Sequence, residues 1–177
     1  KLTVEGQPFG DWGVIPKIGL QMALPASYDH VAWYGRGPRE TYPDSREAGK
    51  IEQHKALVDE LFTPYVFPQD NGNHVETRWV SVTNARGIGL MASSPELFNF
   101  GALHYSTEAL EQAKHTNELV KEDVTYLNLD YKVLGLGSAS CGPKTTEELF
   151  AEDFKFTIVL IPFDQNHKRP DTLYRGI

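Results

Sequence analysis

The chain has 177 residues, 40% of them hydrophobic and 23% charged. That is enough for one domain of the usual roughly 100–200 residues, and it excludes a largely disordered chain. Seventeen Lys and Arg against 24 Asp and Glu leave a net charge of −7, the reverse of the basic excess that nucleic-acid binding requires.

In chain order the pattern is that of a β protein. Fifteen Gly and 11 Pro punctuate strand-like runs. Strands are predicted near Ile18–Leu24, His30–Tyr34, Tyr65–Pro68, Thr77–Thr83, Gly89–Ala92, Phe98–His104, Thr125–Asp130 and Phe154–Ile161. Several alternate with period two, which puts one face inward and one outward. Arg78, Val80 and Val82 share a face, and Leu127 and Leu129 face away from Asn128. A helix is predicted over Ser106–Ala113, with Ser106 as N-cap and an acidic first turn. Gln53–Phe62 has helical spacing through Ala56, Leu57, Glu60 and Leu61. Neither helix alternates regularly with strands, which argues against parallel βαβ units. Residues 1–163 form the predicted β-sandwich domain. Residues 164–177 form a polar C-terminal tail that docks through Leu173 and Tyr174.

No apolar run reaches the roughly 18 residues of a membrane helix. The chain starts Lys1-Leu2-Thr3-Val4-Glu5-Gly6, with no Met and no signal-peptide pattern, and reads as part of a longer polypeptide. A single cysteine, Cys141, excludes a disulfide framework within the chain and fits a reducing, cytoplasmic setting.

No self-contained catalytic constellation stands out. Glycoside hydrolysis needs a carboxylate pair at fixed separation. Glu40 with Asp44, and Asp70 with Glu76, are the nearest pairs in loop-like sequence, but capping carboxylates explain them as well. No two of the six His stand at i, i+3 or i, i+4, and neither HExxH nor CxxC occurs. Cys141 has no adjacent base that would lower its pKa. His74 and Glu76, two apart on a strand, and His104 are the candidates for an epimerase base and acid. The 20 aromatic residues suit sugar stacking. Trp33-Tyr34 leads into the Gly37-Pro38 turn followed by Arg39 and Glu40, which reads either as sugar contact or as core and turn bracing.

Six segments in order carry a resemblance. They are Ile15–Leu20, Trp33–Asp44 (WYGRGPRETYPD), Tyr65–Gly72 (YVFPQDNG), Tyr105-Ser106 with Leu110 and His115, Leu127–Asp130 (LNLD), and Gly135–Pro143 (GLGSASCGP). Over roughly Ile15 to Phe163 the chain resembles the C-terminal domain, or small chain, of family 2 β-galactosidases. The resemblance implies an all-β antiparallel supersandwich, similar to the galactose mutarotases, of which this is the second half. It implies a whole enzyme, often oligomeric, that hydrolyses terminal β-galactosides such as lactose with retention. Its catalytic glutamates would lie on a TIM barrel elsewhere, so this chain would hold no catalytic residue and be inactive alone. Any magnesium and sodium ions would be bound by other domains, with no cofactor in this chain. Partners would be the remaining domains or large subunit, the galactoside, and further copies. In some relatives the loop after the Gly-x-Gly strand presents a Trp to the sugar pocket. Here that loop is one residue shorter, and Cys141 falls at or beside the Trp position. A Cys has no ring to stack on a sugar, so Ser138, Ser140 and Cys141 are expected to line the pocket wall rather than form a platform. The alternatives are a stand-alone carbohydrate-binding module, with Trp33 or Trp79 exposed as a platform, and a mutarotase-like aldose 1-epimerase.

Overall fold

The computed structural model describes residues 1–137, 145 and 147–176. Among them are eight strands: β1 (Leu2–Gly6), β2 (Lys17–Pro25), β3 (His30–Gly37), β4 (Lys50–Leu57), β5 (His74–Thr83), β6 (Ile88–Leu103), β7 (Val124–Val133) and β8 (Phe154–Asp164). Three short helices accompany them: α1 (Val58–Leu61), α2 (Thr107–Gln112) and α3 (Pro170–Tyr174). Every strand pairing is antiparallel, so the fold is all-β, as the alternation predicts.

The long strand β6 organises the sheet. One of its edges pairs with β5. The other edge pairs first with β8, over Ile88–Ser93, and then with β7, over Asn99–Leu103. Between these stretches Ser94–Leu97 leaves the ladder, where Pro95 has no N–H to donate. The sheet forks there. One path runs β1-β8-β6-β5-β3-β4, and β7 carries β2 on the other. The two runs predicted at Gly89–Ala92 and Phe98–His104 are thus one bent strand.

The main core lies on one face. Trp33, Val80, Val82, Phe98, Phe100, Leu127, Leu129 and Ile158 pack there with Val58 and Leu61 of α1. The opposite face is covered too. Trp79, Met91 and Phe163 pack beneath Leu173 and Tyr174 of α3, so the polar tail docks through the two residues its sequence singles out. Burial on both faces explains why Trp79 through Thr83 are five buried residues in succession rather than an alternating run.

Two predicted elements differ. Tyr65–Pro68 is not a strand. Pro64 and Pro68 remove ladder donors at both ends, and Val66 and Phe67 are exposed. Gln53–Phe62 is mostly strand. β4 pairs residue by residue with β3 from Lys50 to Leu57, leaving only one helical turn after it. Cross-strand pairing outweighs the local helical spacing. The predicted α2 is present, and Ser106 Oγ accepts a hydrogen bond from the Ala109 N–H at 3.2 Å.

Gly37 ends β3. A Cβ built there would lie 2.8 Å from Trp33 Cζ2 and 3.0 Å from His54 Cδ2. The restriction is close approach to a fully buried indole, not a left-handed turn conformation. Gly37→Val is therefore expected to destabilise the chain by about 1–3 kcal/mol. A thermal melt checks this, and an unchanged midpoint would refute it.

Candidate functional site

The main groove holds about 960 Å³. One wall is the segment Pro38–Ala48 between β3 and β4. The facing wall is Glu60–Tyr65, and Leu136, Gly137 and Thr145 close one end. His74 also lines the groove, backed by rings of the core. His74 stacks on Phe100 with ring centroids 4.8 Å apart, and both rings meet Trp33 edge-on.

Carboxylates tie the walls together. Glu40 accepts from the Tyr65 hydroxyl through one oxygen and from the Gly72 N–H at 2.7 Å through the other. The Glu40 charge and burial both raise the Tyr65 phenol above its usual range, burial being the larger cause. Behind them, Thr41 N–H donates to the Asn73 carbonyl at 2.7 Å, and Asn73 Nδ2 donates back to the Thr41 carbonyl at 2.8 Å. Asp44 accepts from the successive N–H groups of Leu136 at 3.2 Å and Gly137 at 2.6 Å. Arg36, not Arg39, braces the turn before the groove. Its guanidinium donates to Glu76 at 3.1 Å, to the Arg46 carbonyl at 2.9 Å and to the Gly49 carbonyl at 3.1 Å.

Three buried titratable groups are shifted, with burial the largest cause in each, and the Tyr42 phenol at the groove is raised well above its usual range. His74 is fully buried, and burial lowers its imidazole to about 4. The Gly72 and Pro38 carbonyls that face its two nitrogens, at 3.0 and 3.4 Å, pull the other way and lose. Asp130 on β7 lies opposite Gly19 of β2, at a bulge where Tyr131 is the extra residue of β7. A Cβ at Gly19 would stand 2.0 Å from Asp130 Oδ1, so only glycine fits against this carboxyl. Burial raises Asp130 to about 7, nearby Asp70 adds to the shift, and Lys17 opposes it. Lys17 itself donates to Asp70 at 3.0 Å.

Each candidate carboxylate holds a partner of its own. Glu40 and Asp44 share the groove, but each is engaged by backbone N–H groups of a different loop. Asp70 holds Lys17, and Glu76 holds Arg36. Glu76 also sits at φ 54° within the β5 bulge. That bulge breaks the shared strand face expected for His74 and Glu76. His104 is buried, with Nδ1 2.8 Å from the Val124 carbonyl. Trp33 and Trp79 are buried in the two cores, so neither forms the platform of a stand-alone sugar-binding module; Trp12 is exposed. Among the described residues no group of three or more His, Cys, Asp or Glu is arranged to hold a metal. Among the described residues no helix is long and apolar enough to cross a membrane. Ser138, Ser140 and Cys141 lie outside the described residues. Sequence reasoning missed the role of Asp44. The only signal was its place in the Tyr42-Pro43-Asp44 turn, and its partners are more than 90 residues away.

Residues 1–160 match the family model described as β-galactosidase small chain. The chain belongs to that family. The match begins earlier than the six motifs and takes in β1. Among curated relatives, a β-galactosidase of Vibrio cholerae serotype O1 is 41% identical over 137 residues, covering 77% of this chain and 13% of the relative. A β-galactosidase of Photobacterium profundum is 39% identical over 153 residues, 84% of this chain and 14% of the relative. One from an Arthrobacter species is 31% identical over 165 residues, 90% of this chain and 16% of the relative. This small-chain sequence thus spans a small fraction of the length of the relatives it matches.

Proposed function

We propose that this chain is the non-catalytic C-terminal domain of a family 2 β-galactosidase and completes its galactoside cleft. The observation that carries this is the engagement of its candidate carboxylates. Glu40, Asp44, Asp70 and Glu76 each hold a structural partner, which leaves none of the four as a free acid–nucleophile pair. The chemistry then belongs to the rest of the polypeptide, consistent with a match to only 13–16% of the three relatives described above.

The whole enzyme, on this reading, is a retaining hydrolase of terminal β-D-galactosides such as lactose. It is cytoplasmic and homo-oligomeric, and other domains bind any magnesium or sodium. Val66 and Phe67, 84% and 64% exposed beside Tyr65 at the groove, are the apolar surface this chain offers to those domains. The segment Ser138–Pro143 forms part of the cleft wall.

Cys141→Ala tests that last assignment. The chain's melting temperature is expected to stay within about 1 °C, because the flanking Gly- and Ser-rich sequence reads as a loop. In the assembled enzyme the KM for a chromogenic β-galactoside is expected to shift. An unchanged KM would remove Cys141 from the cleft.

A further inference from the structure

The groove contains an incomplete polar site. Tyr42 lines it and is only 2% exposed. Its hydroxyl oxygen has no hydrogen-bond partner among the described residues. A buried hydroxyl without a partner costs stability, and folded chains rarely keep one. Glu40 is half-buried in the same groove. Among the described residues its carboxylate accepts from the Tyr65 hydroxyl and the Gly72 N–H. A carboxylate offers about four acceptor positions, so about half of them remain open. The setting is anionic. Asp70, Glu40 and Tyr65 are the ionisable groups that act on the Tyr42 phenol. Around the groove Glu40, Asp44 and Glu60 stand against a single guanidinium, Arg39. Among the described residues none of these carboxylates makes an ion pair. His74, with a value of about 4, is neutral in neutral solution and adds no positive charge. Leu61 and Phe62 supply apolar lining. The volume of about 960 Å³ lies at the top of the roughly 300–1,000 Å³ range of ligand pockets, which is room for more than one side chain.

We infer that the groove seats a cationic segment of the remaining polypeptide, which sets an arginine against Glu40 and a backbone carbonyl against the Tyr42 hydroxyl. This rests on the proposal that the chain is one domain of a larger β-galactosidase. A planar guanidinium carries several donors and suits a carboxylate with open lone pairs. Its aliphatic stem suits the lining at Leu61 and Phe62. The acceptor for Tyr42 is a neutral carbonyl, because Glu40 and Asp70 repel a second carboxylate there. Val66 and Phe67 follow Tyr65 and are exposed, so they give the same docking face its apolar area. Opposite charge across such a contact fixes its register.

The test measures association of this chain with a polypeptide carrying the remaining domains, and the thermal melt of the chain alone. Tyr42→Phe removes only the hydroxyl. Its melt is expected to be unchanged or higher, because no hydrogen bond within the described chain is lost. Its Kd for the remaining domains is expected to rise about tenfold. A role confined to this chain's own fold would instead lower the melt and leave the Kd alone. Glu40→Gln keeps one acceptor oxygen and removes the charge. Wild-type association is expected to weaken about tenfold between about 0.05 M and about 0.5 M salt, and that of Glu40→Gln only about threefold. Glu111→Gln is the control, an exposed carboxylate of α2 outside the groove, and is expected to keep the wild-type values. Equal Kd for wild type and Tyr42→Phe overturns the inference, and the larger proposal stands because association is still seen. This arm decides even where Glu40→Gln fails to fold. A full salt dependence in folded Glu40→Gln overturns the cationic occupant. No association of the wild-type chain overturns both the inference and the proposal beneath it.

Discussion

Phe100→Ala is expected to destabilise the chain by about 3–5 kcal/mol, the usual cost of emptying a buried phenylalanine site. Phe100 is fully buried on β6. It lies opposite His74 on β5 and Leu129 on β7, so it joins three strands beyond the fork. Its ring stacks on His74 and meets Trp33 at 5.5 Å. None of these neighbours can easily collapse into the space, because Trp33 is held by its Nε1–H bond to the Arg36 carbonyl at 3.0 Å and His74 by the Gly72 carbonyl. Removing the ring also admits water to His74. Its imidazole is then expected to titrate nearer its ordinary value of 6.5 than the present value of about 4. Urea denaturation gives the first quantity and a proton NMR titration the second. A loss below about 1.5 kcal/mol, within the range of volume-conserving core swaps, would contradict the packing described.

Asp130→Asn is expected to stabilise the chain in neutral solution and to have progressively less stabilising effect towards acid. The folded-state value of about 7 lies above the ordinary 3.8. Between these limits the native chain holds a proton that the unfolded chain has lost, so raising the pH through this window costs native stability. Asparagine has no such proton to lose. The stability of Asp130→Asn relative to wild type should therefore climb by up to about 1.4 kcal/mol per pH unit, with a ceiling of roughly 4 kcal/mol. His74 acts in the opposite sense. Its lowered value means that native stability falls as the pH drops from 6.5 to about 4. In wild type the two slopes largely cancel, and the substitution exposes the histidine slope. Denaturant titrations at pH 5 and pH 8 check this, and an equal effect at both would refute the buried, titrating Asp130.

The strand-like runs predicted near Ile18–Leu24, His30–Tyr34, Thr125–Asp130 and Phe154–Ile161 all lie within observed strands of similar extent. In each, side chains of one face enter the core, which is what period two reports. β4 was not legible. It is an edge strand with mostly exposed side chains, so no apolar rhythm marks it. Tyr65–Pro68 carried the aromatic and β-branched composition of a strand, but its flanking prolines decide otherwise. The groove was half legible. Trp33–Asp44 and Tyr65–Gly72 stood out as motifs, and the first supplies much of one wall while the second supplies only Tyr65 to the other. The bonds that tie the groove together, Glu40 to Gly72 between the motifs and Asp44 to Gly137 at its end, are long-range. No local spacing announces them. His74 and Asp130 were equally hidden, because their shifts come from burial that only the assembled sheet creates.

Hydrolysis of a chromogenic β-galactoside, by this chain alone and by this chain mixed with a polypeptide carrying the remaining domains, tests the central claim most directly. The account predicts no turnover by the chain alone and turnover in the mixture that depends on the amount of chain added. Turnover by the chain alone would contradict it, and would mean that a carboxylate assigned here to a structural partner performs the chemistry.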